Sequence, residues 1–90
     1  MRKEEVRNKI LDFGDAIVTY RSEKSKKLKY NVVTLDFSTD YIKTKRTHAK
    51  ENDNTILTFS WDVDAFRLIK TNLVTSVVPL NSALRNKTNG

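Results

Sequence analysis

Apolar residues near the start of the chain recur at helical spacing. Val6, Ile10 and Phe13 lie four and three residues apart, with Leu11 beside them, so residues 3–13 predict a short helix with one apolar face. Glu4 and Glu5 fall in its first turn and Arg7 and Lys9 follow, the order that the helix dipole favours. Gly14 supplies the stop, because glycine enters left-handed backbone without a Cβ clash. A helix this short is marginal by itself, so its apolar face needs a packing partner.

From Ala16 onward the chain is rich in β-formers. Residues 16–21 (AIVTYR) predict a strand of β-branched and aromatic residues, followed by a charged loop over 22–27 (SEKSKK). Residues 28–37 (LKYNVVTLDF) predict a long strand whose parity switches. Leu28, Tyr30 and Val32 share one face, whereas Val33, Leu35 and Phe37 share the other, which predicts a bulge or bend near Val32 and Val33. After a turn at 38–40, residues 41–47 (YIKTKRT) read as a solvated edge strand whose only apolar residues are Tyr41 and Ile42. A polar loop spans 48–54. Residues 55–61 (TILTFSW) alternate again, with Leu57, Phe59 and Trp61 on one face and Ile56 opposite. Residues 62–65 (DVDA) predict a hairpin turn before a short strand at 66–70. Thr71 and Asn72 form a tight link to a last strand over 73–80 (LVTSVVPL), where Pro79 marks an end or an edge.

The expected architecture is therefore mainly β: an N-terminal short helix and then five or six antiparallel strands in a small bent sheet or partly open barrel. It occupies residues 1–80 as a single domain. Residues 81–90 are expected to be a polar, disordered tail after one turn near Ala83 and Leu84. No glycine lies between residues 14 and 90, so the bends must come from bulges.

Composition narrows the chemistry. A chain of 90 residues makes one small domain. Without cysteine there is no disulfide framework, thiol nucleophile or Cys-ligated zinc site. With one histidine, a His-rich metal site is excluded. No window approaches the roughly 20 apolar residues of a membrane span, and Arg2 and Lys3 run into Glu4 and Glu5 instead of an apolar signal core. The expectation is a soluble cytoplasmic protein with no cofactor and no metal. For want of a nucleophile–base pair it reads as a binding module and not as an enzyme.

Charge gives that module a direction. Lys and Arg number 17 against 11 Asp and Glu, a net charge of +6. Residues 21–50 hold nine basic and three acidic residues, so the whole excess sits in the central third. A concentrated positive field attracts polyanions. On the predicted strands, Lys43, Lys45 and Thr47 share a face with Tyr41 and lie beside Lys29 and Asn31 as a basic ribbon. Lys24, Lys26 and Lys27 add a mobile basic flap, and Arg46 joins these lysines in electrostatic capture. Tyr30 and Tyr41 are the candidates to stack on bases, as aromatics do in single-strand binders; the plainer alternative is that Tyr30 is core and Tyr41 flanks a turn. Trp61 ends an alternating strand, which suggests core packing. Its other reading is a partner anchor with Arg67 as cross-hairpin neighbour. Asp62 and Asp64 could bind a cation or act as acid and base, but a hairpin turn explains them more simply. His48 is expected to be exposed in a loop and could titrate beside a bound phosphate. Asn86-Lys87-Thr88 matches a glycosylation acceptor by chance.

Two stretches carry a family likeness. LKYNVVTLDFSTDYIKTK (residues 28–45) is similar to the second strand, turn and third strand of the Sm1 motif, and LVTSVVP (residues 73–79) resembles the closing strand of the bacterial RNA host-factor branch of the Sm-like family. The likeness extends to SH3-like small barrels. It implies ring assembly and a uridine pocket. The chain departs from the pattern in lacking the strand glycines and in carrying Ile69-Lys70-Thr71 where an aromatic-Lys-His segment is expected, so that only Lys70 corresponds. It also inserts a hairpin, SWDVDAFRLIK, into one continuous strand. The leading expectation is a small non-catalytic nucleic-acid-binding module for RNA or single strands. The alternative is a regulatory module that binds an acidic protein partner, or a larger host machine, by the same face or by edge-strand addition.

Overall fold

The computed structural model describes residues 1–81. The predicted turn near Ala83 and the Asn86-Lys87-Thr88 sequence lie outside the described residues. Helix α1 spans Lys3–Phe13, and five strands follow: β1 (Asp15–Arg21), β2 (Leu28–Thr34), β3 (Thr55–Ser60), β4 (Ala65–Lys70) and β5 (Val74–Pro79). A short helix α2 (Asp40–Lys43) lies between β2 and β3, and a 3-10 turn (Thr71–Leu73) links β4 to β5. The predicted helix, five antiparallel strands and the end of the last strand at Pro79 are present.

Val6 and Ile10 are fully buried, as their spacing requires, and Phe13 is half-buried. Leu11, the neighbour in sequence, is exposed. Gly14 ends the helix at φ 79°, and its N–H donates to the Ile10 carbonyl at 2.9 Å. The helix covers a core built from Ala16, Val18, Val33, Ile56, Ile69, Val74 and Val77. Burying each of the larger aliphatic side chains contributes about 1.5–3 kcal/mol, which is what holds so short a helix in place.

The sheet order is β4-β3-β2-β1-β5, with every pairing antiparallel. β4 and β5 lie at opposite edges, yet only three residues join them. A three-residue link cannot cross a flat five-stranded sheet, so the sheet must curl to bring its edges together. Part of the curl comes from a register shift between Thr19 and Tyr20 on the β5 side: Thr19 faces Ser76, but Tyr20 faces Val74. Bulges of this kind increase local bend and twist.

Two expectations need correction. The β1–β2 ladder runs unbroken from Asp15–Thr34 to Arg21–Leu28, with no bulge at Val32 and Val33. The parity change instead marks where β2 changes neighbours. Only Val33 and Thr34 pair with β3. The preceding half projects as a hairpin with Leu28 and Tyr30 exposed, and β2 ends before Leu35 and Phe37.

The second correction is that residues 41–47 are not a strand. The Thr39 side chain accepts from the Ile42 N–H at 3.4 Å and starts α2, after which residues 44–54 are irregular. Adjacent Tyr41 and Ile42 cannot both serve one face of a strand. A helical turn lets Ile42 bury fully while Tyr41 packs on Trp61. The true sheet edges are β4 and β5.

Candidate nucleic-acid interface

The central basic third folds into two separate pieces. The first is the β1–β2 hairpin with Arg21, Lys24, Lys26, Lys27 and Lys29, all exposed. Its loop is bridged within itself. The Ser22 N–H donates to the Lys27 carbonyl and the Lys26 N–H to the Ser22 carbonyl, both at 2.9 Å, and Arg21 Nη1 donates to the Lys26 carbonyl at 2.7 Å. Lys26 adopts φ 62° to close the turn. Tyr30 stands beside this piece. It is 63% exposed on the outward face of β2, paired across to Thr19, and so is not part of the core.

The second piece is α2 and the residues after it. Lys43 and Arg46 are exposed, and neither makes an ion pair among the described residues. Lys45 is engaged: its Nζ lies 3.0 Å from Asp64 Oδ2 and 5.0 Å from the centre of the Tyr41 ring. The hydrogen bond to Asp64 raises the Lys45 pKa. The Tyr41 hydroxyl and Lys45 both donate to Asp64 and hold its carboxyl below the ordinary range.

An aromatic cluster supports this second piece. Tyr41 stacks on Trp61 with ring centres 6.3 Å apart, and Trp61 meets Phe59 edge-on at 5.1 Å. Phe59 continues to Phe66 at 5.4 Å, and Phe66 to Phe37 at 5.2 Å. Phe59 is buried, but Tyr41 is 50% and Trp61 38% exposed, so the outer end of the cluster faces solvent. Trp61 Nε1 donates to Asp15 Oδ1 at 2.9 Å, which fixes the indole. Trp61 is thus neither wholly core nor free.

Arg67 is not its neighbour. Ser60 pairs with Ala65 and Thr58 with Arg67, so Arg67 sits further along β4, away from the turn that carries Trp61. His48 is exposed in the irregular segment after α2.

Asp62 and Asp64 do not form a carboxylate pair, because they serve different partners. Asp62 Oδ1 accepts from the Val32 N–H at 2.9 Å and from the Ser60 hydroxyl. Its Oδ2 accepts from Asn31 Nδ2 at 3.1 Å. Partial burial would raise the Asp62 pKa, but these donors outweigh it and leave the pKa lowered. Asn31, only 4% exposed, in turn accepts from the Tyr20 hydroxyl at 2.9 Å through Oδ1. Sequence reasoning missed this Tyr20–Asn31–Asp62 relay. Its one local sign is Asn31, a polar residue directly before the Val32-Val33 pair of β2.

Comparison with protein-family models, with curated proteins and with solved structures returned no match.

Proposed function

We propose that the chain is a small non-catalytic module that binds RNA or another single strand. Electrostatic capture falls to Lys24, Lys26, Lys27 and Lys29 on the hairpin and to Lys43 at the end of α2 and Arg46 after it. Stacking falls to Tyr30 and, at the second piece, to the Tyr41–Trp61 pair. The observation that carries this reading is Tyr30: a large aromatic at 63% exposure, next in sequence to Lys29 on the strand that leaves the lysine loop. Leaving an aromatic in water gains nothing for folding, whereas a base laid on it is worth about 1–3 kcal/mol.

The test is retardation of a labelled single-stranded RNA of about 20 nucleotides at low salt, with a log–log salt slope steeper than about −3. Tyr30→Ala should weaken binding by about ten-fold or more at unchanged melting temperature. Lys43→Glu with Arg46→Glu should flatten the salt slope and leave Lys45 on Asp64. Absence of retardation at about 50 mM salt overturns the reading. In that case a lysate partner that survives nuclease would favour the acidic-protein alternative, which the unpaired outer edges of β4 and β5 could serve by strand addition.

A further inference from the structure

A cavity of about 340 Å³ opens between the β1–β2 hairpin (residues 20–24) and β4 (residues 67–70), with Leu73 of the 3-10 turn and Asn31 completing its wall. That volume lies in the range of small-molecule sites, roughly 300–1,000 Å³. Its walls differ in character. Leu68, Ile69 and Leu73 are apolar, whereas Arg21, Lys24, Arg67 and Lys70 surround them with positive charge against the single acid Glu23.

These cations are not equally available. The Arg21 guanidinium is bonded to the Lys26 carbonyl, and Lys70 of β4 forms an ion pair with Glu23 of the hairpin loop. Lys24 and Arg67 have no ion pair among the described residues.

The polar part of the wall has a fixed sense. Ionised Asp62 can only accept, so it takes Asn31 Nδ2 and turns Asn31 Oδ1 toward Tyr20. The Tyr20 hydroxyl spends its hydrogen there. A ligand group that meets its oxygen must therefore be a donor.

We infer that this cavity is a site for a nucleoside monophosphate group, with the phosphate on Lys24 and Arg67 and the base against Ile69 and Leu73. An anionic head, a flat apolar body and a donor edge are what the three kinds of wall require together. The choice of a nucleotide among organic anions rests on the proposed nucleic-acid reading. The group could come from a free nucleotide or from a strand. Glu23 competes with the ligand for Lys70.

The experiment is an amide NMR titration of the full chain with AMP and UMP. Saturable shifts are expected at residues 20–24 and 67–70 and not along α1. Adenosine, uridine and inorganic phosphate alone should each bind at least about ten-fold more weakly. Arg67→Ala and Lys24→Ala should weaken nucleotide binding about ten-fold while the spectrum stays dispersed. Glu23→Gln should tighten it by about two- to five-fold, because Lys70 is released; a purely structural ion pair gives no such gain.

No saturable shift at these amides with millimolar nucleotide, or equal affinity for inorganic phosphate, overturns the inference. RNA retardation with a silent cavity overturns this inference alone. Nucleotide in the cavity without RNA retardation overturns only the strand-binding reading. Where both occur, cavity shifts with the RNA mark a strand nucleotide, and their absence marks a free one.

Discussion

Asp62 stands where β3 parts from β2, and it replaces a ladder that has run out. Val32 would lose its N–H partner there, but the Asp62 carboxylate accepts it while Trp61 donates its own N–H to the Val32 carbonyl at 2.7 Å. The same carboxylate satisfies Ser60 and the buried Asn31. Asp62→Ala would leave these donors unpaired, two of them on buried residues. The expected cost is about 1–3 kcal/mol, read as a lower urea midpoint at unchanged slope. A loss under about 0.5 kcal/mol would show that water replaces the carboxylate at no cost. The Asp-rich turn was legible in the sequence. Its partners were not, because Asn31 and Val32 lie thirty residues away.

At the scale of elements, α1 depends on one backbone position. Gly14 combines φ 79° with ψ −80°, a region that side chains other than glycine avoid. A Cβ built there meets nothing within 4 Å, so any loss on substitution comes from backbone strain and not from a clash. Gly14→Ala should therefore destabilise the fold by about 1–2 kcal/mol in thermal or urea unfolding. Unchanged or higher stability would mean that the chain relaxes to another exit from the helix at no cost. Helix α1 and the β3–β4 hairpin were readable because their signals are local: apolar spacing, a glycine stop, and an Asp-rich turn between alternating runs. Residues 41–47 were misread because lysine and threonine content resembles an edge strand, while the deciding features were the Thr39 cap and the docking of Tyr41 on Trp61.

At the scale of the whole molecule, five carboxylates among the described residues are held below their ordinary pKa. Glu23 is lowered by its bond and charge pairing with Lys70, Asp36 by Ser38, and Asp64 by Tyr41 and Lys45. For Glu51 and Asp62 burial acts upward, but Arg7 and the Leu57 N–H outweigh it at Glu51, as the turn donors do at Asp62. A depressed folded pKa contributes stability that is complete above the unfolded value, about 4, and is lost as pH falls through the folded value. The melting temperature should hold from neutral pH down to about 5 and then fall progressively below about 4. A midpoint independent of pH down to about 2 would show that these contacts add nothing to the folded state. Among the described residues no helix is long and apolar enough to cross a membrane.

The sequence by itself determined the class of fold, the helix and its stop, most strand positions and the placement of the whole net charge in residues 21–50. These follow from periodicity and composition, which are properties of neighbours along the chain. Only the tertiary structure decided that this charge divides between a hairpin and the segment after α2, that Tyr30 faces solvent, and that Trp61 joins Tyr41 instead of Arg67. It also decided that the hairpin and β4 line an open cavity. Each of these depends on strand register and on the curl forced by a three-residue link between opposite edges, and neither is written in any local window of residues.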